Sequence, residues 1–391
     1  MARNSDGSGD QVQWLDLDFP NGVSGPERPP WPGWLKLVLV LTALALAAVA
    51  VSTQRGRQSA SRAAPGATKT HGPTVASTPT TPQLGVWVSA VGHPLLGVTA
   101  NWELYGRGPG VLVRIQPARG LITRTTVPGL LSSGPVSFVV TGNEAIIRPV
   151  DRVFGYLVRD GRQPDPIAIE PASGGPVFPG PSPEVVWMQT GDDAHPRFTL
   201  TATDQRQTAV IEVPVGSSPL EAISDGAGYL LFSRPDGVYQ ARPGVFRRVT
   251  TGTVLAVGRT GWIDAHCDAR HRCAMSLISR TTGGRRALGF ETGGLPGGVL
   301  SPDGSTAAML EVSPGGAIGL SLLDVRSGSR RPVAVAMDGD GTVTFSPDGR
   351  WLFAVTARGT LAAIEVRTAN PGGLGVPLPP LSQLAIKPAG R

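Results

Sequence analysis

Two near-identical phrases constrain this chain more than anything else in it. Leu300-Ser301-Pro302-Asp303-Gly304 runs into apolar Ala307-Ala308-Met309-Leu310, and Phe345-Ser346-Pro347-Asp348-Gly349 runs into Trp351-Leu352-Phe353-Ala354-Val355. Pro-Asp-Gly between apolar runs is a tight turn. Pro302 and Pro347 preset φ, Asp303 and Asp348 bond their own backbone, and Gly304 and Gly349 take the positive φ. The phrases stand about 45 residues apart, the period of one four-stranded β-propeller blade.

Weaker copies of the same punctuation recur upstream. Thr141-Gly142-Asn143 precedes Ala145-Ile146-Ile147, Ser182-Pro183 precedes Val185-Val186-Trp187-Met188, Ser224-Asp225-Gly226 precedes Tyr229-Leu230-Leu231-Phe232, and Arg259-Thr260-Gly261 precedes Trp262-Ile263. Each turn is followed by a second polar break and another apolar run, as at Leu320 to Val325 before Arg326-Ser327-Gly328. Strand, tight turn, strand, Gly turn, strand is the grammar of a blade. A further blade fits Trp102 to Tyr105, Val111 to Ile115 and Leu121 to Arg124. The expected fold is therefore an all-β propeller over residues 85–391. About seven blades are expected, with six or eight left open by the degenerate early repeats. One short strand, Leu384-Ala385-Ile386, is left over, and it would complete the first blade and remove an exposed edge.

The two Ser-Pro-Asp-Gly phrases resemble the WD-like propeller repeats of the Tol-system periplasmic family, which carry the same turn ahead of an apolar strand. The match is specific at residues 300–310 and 345–355 and pattern-like elsewhere. The resemblance implies an interaction surface on the propeller face and brings no catalytic residue with it, so Pro302, Asp303, Gly304, Pro347, Asp348 and Gly349 are read as turn residues.

Ahead of the propeller, residues 37–51 contain no charged side chain and only Thr42 as a polar one. With its flanks, the stretch 34–53 is long enough for a single transmembrane helix. Trp31 and Trp34 stand where an interfacial belt would lie, and Lys36 can snorkel. Ala48-Val49-Ala50 has the form of a signal-peptidase site. However, the preceding 1–33 tail is long and carries Asp6, Asp10, Asp16, Asp18 and Glu27, unlike a short basic leader. An uncleaved anchor is expected. Residues 54–84, rich in Ser, Thr, Pro and Ala, form a linker. Arg55, Arg57, Arg62 and Lys69 follow the span, so the local charge rule alone would keep the propeller in the cytoplasm. The stalk-like linker and a cysteine pair argue for export, with the tail cytoplasmic. In that tail, Trp14-Leu15-Asp16-Leu17-Asp18-Phe19 alternates apolar and acidic residues, and Trp14, Leu15 and Phe19 form a candidate docking motif.

Composition narrows function. Gly (52) and Pro (37) fall largely at turns; charged residues are 16 % of the chain and the net charge is +6. No dense Lys/Arg stripe is present, which argues against nucleic acid as a partner. No Gly-x-Ser-x-Gly elbow, His-Glu-x-x-His pair or phosphate-cradling Gly-x-x-x-x-Gly-Lys occurs.

The densest cluster runs from Asp264 to Cys273 and holds the chain's two cysteines. Strands 262–267 and 273–278 would form a hairpin with Cys267 opposite Cys273, placed for a disulfide. Free thiols, or a zinc site with His266 and His271, are the alternatives, although Cys-x5-Cys is an unusual zinc spacing. Asp264 and Asp268 are among the few acids expected in loops able to reach a central pocket.

The chain thus reads as a membrane-anchored, non-enzymatic, extracytoplasmic binding or scaffold module. It takes no cofactor and meets another protein or an envelope component. Two other classes remain: an envelope hydrolase or lyase with carboxylates converging on the channel, and a signal relay working through the tail.

Overall fold

The computed structural model describes residues 85–387 apart from 129–135, 143, 150–153, 160–161, 169–174, 192–194, 203–205, 270–271, 293–296, 314–315 and 338–341. Among the described residues there is no α-helix, and no helix is long and apolar enough to cross a membrane. The expected span at 34–53, the linker, and Trp14, Leu15 and Phe19 of the tail lie outside the described residues.

The fold is an all-β propeller. In chain order the strands are β1 (Val86–Ala90), β2 (Glu103–Gly108), β3 (Val111–Gln116) and β4 (Leu121–Thr126); β5 (Val136–Val140), β6 (Glu144–Pro149), β7 (Phe154–Arg159) and β8 (Asp165–Ala168). Then come β9 (Val177–Pro179), β10 (Val185–Thr190), β11 (Arg197–Ala202) and β12 (Gln207–Glu212), followed by β13 (Ile223–Ser224), β14 (Leu230–Arg234), β15 (Gly237–Arg242) and β16 (Val245–Thr250). The remainder are β17 (Thr253–Val257), β18 (Gly261–Cys267), β19 (Arg272–Ser279), β20 (Arg285–Thr292), β21 (Gly297–Leu300), β22 (Thr306–Val312), β23 (Ile318–Asp324) and β24 (Arg330–Met337), then β25 (Val343–Phe345), β26 (Trp351–Val355), β27 (Leu361–Glu365), β28 (Asn370–Gly372) and β29 (Gln383–Lys387).

The described strands pair into six sheets. Five are separate antiparallel units of four or five strands. The sixth has eight strands: two four-stranded meanders, β17–β20 and β21–β24, bridged where β17 runs parallel to β21 at Ala256 opposite Gly298 and Val257 opposite Val299. β29 pairs antiparallel with β2, Glu103 opposite Lys387, so the last strand sits in the sheet of the first. That pairing gives β2 a partner on its inner edge, where an open ladder would invite aggregation. The approach is close. A Cβ on Gly106 would stand 2.7 Å from Leu381 Cδ1, and one on Gly108 would stand 2.0 Å from the Pro380 carbonyl oxygen. The sequence did not announce β1, a fifth strand paired outside β4.

Neighbouring meanders hold together through buried apolar faces, as alternation along half-buried strands requires. Trp102, Val113 and Ile115 pack on Phe353 and Leu361, joining the first meander to the last, with Trp102 and Phe353 ring centroids 5.7 Å apart. Trp187 and Phe198 pack on Leu230 and Phe232, and Trp262 and Ile278 pack on Leu231 and Val238. The indole N–H groups of Trp187 and Trp262 are satisfied by the Gly228 and Asp225 carbonyls, so the 225–228 turn is held from both sides.

Candidate functional site

Both Ser-Pro-Asp-Gly phrases form the expected turns. Gly304 and Gly349 sit at φ +74° and +69°, and their N–H groups donate to the carbonyls of Ser301 and Ser346 at 2.8 and 2.9 Å. Asp303 Oδ1 accepts from Ser301 Oγ at 2.6 Å and from the Ser305 N–H at 3.1 Å; Asp348 Oδ1 accepts from Ser346 Oγ at 2.5 Å and from the Arg350 N–H at 3.1 Å. Burial pushes the Asp303 carboxyl up, but the bonds from Ser301 and Ser305 outweigh it and hold it below the usual carboxylate range. The Ser301 and Ser346 hydroxyls close each loop by accepting from the N–H groups of Thr306 and Trp351. In the 224–229 turn Asp225 does the work of that serine: its Oδ1 accepts from the N–H groups of Ala227 and Tyr229 at 2.7 and 2.9 Å.

Beside the second phrase lies an open cleft of about 450 Å³, lined by Asp324, Asp348, Arg331, Arg350 and Arg367 among others. Arg331 is committed to the carbonyls of Val366 and Arg367, and Asp324 to the Ser327 N–H and hydroxyl. Arg350 lies 5.6 Å from the Trp351 ring centroid. A rim cleft of guanidiniums and turn carboxylates supplies recognition of charged groups rather than a nucleophile and its base.

Three ionic clusters among the described residues have no local sequence signature. Asp225 is fully buried, and its Oδ2 takes Arg280 Nη1 at 2.6 Å and the Gln240 amide; Arg280 also donates to the carbonyls of Gly258 and Arg259 and lies 4.3 Å from the Trp262 ring centroid. Asp264, also fully buried, bonds Thr250, Arg285 and His266. This corrects the expectation of Asp264 in a loop reaching a central pocket: it lies inside β18 and faces β16. Glu103, in β2, accepts from Arg114 at 2.5 and 2.9 Å, Tyr105 at 2.8 Å and Gln116 at 3.1 Å, with Lys387 Nζ 3.6 Å away. Burial pushes its carboxyl up, yet those donors hold it at about 2. A pairing of β2 with a strand almost 300 residues later is what brings Lys387 there, and no local signal carries it.

Cys267 lies directly opposite Cys273 in the β18–β19 ladder, with the sulfurs 2.00 Å apart. His266 is drawn to Asp264 at 3.1 Å, and His271 is outside the described residues. Among the described residues no group of three His, Cys, Asp or Glu side chains is set to hold a metal ion.

One edge strand of each meander faces the axis of the ring: β29 in the first meander, and the first strand in chain order in each of the others. β29, β5, β9 and β13 neighbour one another in succession, as do β17, β21, β25 and β29. Their side chains are Val, Ile, Leu, Phe, Ala, Gly, Pro, Ser, Thr and Gln, with Lys387 the one charged residue among those strands.

No protein-family model matches the sequence, and no curated protein matches it at a significant level. Among solved structures, the chain is similar to a putative 6-phosphogluconolactonase from Bacteroides fragilis (TM-score 0.46, 10 % identity, covering 75 % of this chain and 99 % of that one). It is also similar to AztD from Citrobacter koseri (TM-score 0.44, 12 %, 75 % and 100 %) and to TolB from Acinetobacter baumannii (TM-score 0.40, 14 %, 68 % and 76 %). Likeness at this level says nothing of function, since unrelated activities share the propeller fold.

Proposed function

We propose that this protein is a single-pass, membrane-anchored β-propeller that works outside the cytoplasm as a non-enzymatic binding or scaffold module, with residues 1–33 in the cytoplasm. One observation carries the reading. The strands around the axis bear no carboxylate, imidazole or thiol, whereas the charged groups gather in the seams and on the rim. A hydrolase working at the channel needs titratable groups converging there; a docking module needs a rigid ring and a decorated surface.

The ring is read here as seven blades of the WD-like type, the eight-stranded sheet counting as two. Among the described residues, seven buried apolar clusters support this count. They follow one another from the first meander with the second around to the last with the first.

The test is external protease on intact cells. Cleavage within residues 54–84 should release the folded propeller, and non-reducing peptide mapping of the released domain should recover Cys267 joined to Cys273, as an oxidising compartment requires. A propeller that stays protected until the cells are lysed overturns the topology.

A further inference from the structure

The positive charge of the chain is concentrated. Residues 223–292, which hold β13–β16 and β17–β20, carry ten arginines against five acidic residues, a net +5 of the chain's +6. Residues 85–222 carry ten arginines against twelve acids, a net −2. Within the basic segment, Asp225 and Asp264 are fully buried and answered by Arg280 and Arg285, so they present no charge to solvent.

What reaches solvent is mainly cationic and partly apolar; the exposed acids described there are Asp236, which accepts from the Tyr239 hydroxyl and pairs with Arg234, and Asp268, which pairs with Arg272. β16 pairs only with β15, and β20 only with β19, so both are outer strands of adjacent meanders. β16 opens Val245-Phe246-Arg247-Arg248, all exposed, and β20 opens Arg285-Arg286, both exposed. Val245 and Phe246 keep 54 % and 41 % of their surface in water. Phe246 stacks on Tyr239 with centroids 4.6 Å apart and rings 7° from parallel. Arg234 lies 5.2 Å from the Tyr239 ring centroid, and Arg248 stands directly opposite Tyr239 in the ladder. A rigid aromatic pair is thereby flanked by guanidiniums.

A soluble polyanion would use the arginines and leave Val245 and Phe246 idle. A bilayer with anionic headgroups uses both, because phosphates take the guanidiniums while apolar side chains enter the headgroup layer. We infer that the outer rim formed by β16 and β20 docks onto an anionic phospholipid surface. The inference rests on the membrane-anchored reading: a 31-residue linker spans at most about 100 Å and keeps the rim within reach of the bilayer.

The test places the full-length chain in lipid nanodiscs of phosphatidylcholine alone or mixed with phosphatidylglycerol, and reads amide hydrogen exchange along β16 and β20. Exchange should slow in the anionic discs only, and the effect should vanish at high salt. Each of Arg247→Gln, Arg248→Gln and Arg286→Gln should lower the docked-to-undocked ratio about fivefold, and Phe246→Ser should weaken docking without changing its salt dependence. Equal exchange in the two lipids overturns the inference. So does slowing by soluble polyphosphate that is the same in wild type and Phe246→Ser while the anionic bilayer has no effect. If the chain does not enter the discs, the anchoring reading fails, and sedimenting the same chain with anionic or zwitterionic vesicles still reads the rim: preference for anionic vesicles supports docking, and its absence overturns it.

Discussion

Glu103 is a carboxylate whose burial would ordinarily favour the neutral form, yet Arg114, Tyr105 and Gln116 hold it ionised, at about 2 against an ordinary 4.5. A lowered value in the folded state contributes stability that is present above the unfolded value and lost as pH falls through the folded one. The window here runs from pH 4.5 down to about 2. Chemical denaturation of wild type across that window should show a loss of stability that Glu103→Gln largely lacks, and parallel pH profiles for the two proteins would refute the assignment. Above the window the variant should be the less stable one, because Arg114 loses its bidentate partner in a largely buried site. None of this was readable from Glu103 in the sequence, where it is simply an acid beside Trp102. Arg114 and Gln116 come from β3, Tyr105 from β2 itself and Lys387 from β29, and the carboxylate's state is set by their convergence.

At the level of the turn the sequence was far more informative. Pro-Asp-Gly fixes its own geometry through bonds that span five residues, and the structure places both copies as the chemistry demands. The two glycines nevertheless differ in surroundings. A Cβ on Gly349 would meet only Pro302 Cδ at 3.8 Å, whereas one on Gly304 would stand 2.3 Å from Thr260 Oγ1 in the neighbouring meander. Both need positive φ, which costs an alanine about 1–2 kcal/mol. Gly349→Ala should therefore lose roughly that amount, and Gly304→Ala about 1 kcal/mol more, because Thr260 must move. Urea midpoints of the two variants give the comparison; equal losses would mean that Thr260 yields freely. The β18–β19 hairpin was equally legible, since its strands and the facing cysteines follow from alternation around a polar break. The weaker turns were legible as turns only. Asp225 caps its own loop through contacts two and four residues away, but that it also anchors Arg280 of the next meander depends on how two sheets meet.

For the whole molecule the decisive contact is β29 on β2. Truncation after Ser382 would remove the buried Leu384, the Gln383 side chain that accepts from Arg107 at 2.7 Å, and the Lys387 charge near Glu103. It would also expose the inner edge of β2. The truncated protein should melt about 10 °C lower or aggregate, as followed by thermal denaturation with light scattering. A melting point unchanged from wild type would show that the apolar seam between the first and last meanders closes the ring unaided.

What the sequence determined by itself was local: turn chemistry, strand alternation and the repeat period, each set by neighbours within a few residues. The propeller follows from those signals because every meander leaves two apolar faces that only further meanders can cover. The tertiary structure decided the rest, namely which charges became buried pairs, where the rim became basic and apolar, and which strand closed the ring. Those outcomes depend on groups separated by tens to hundreds of residues, and their electrostatic and packing energies exist only once the ring has brought them together.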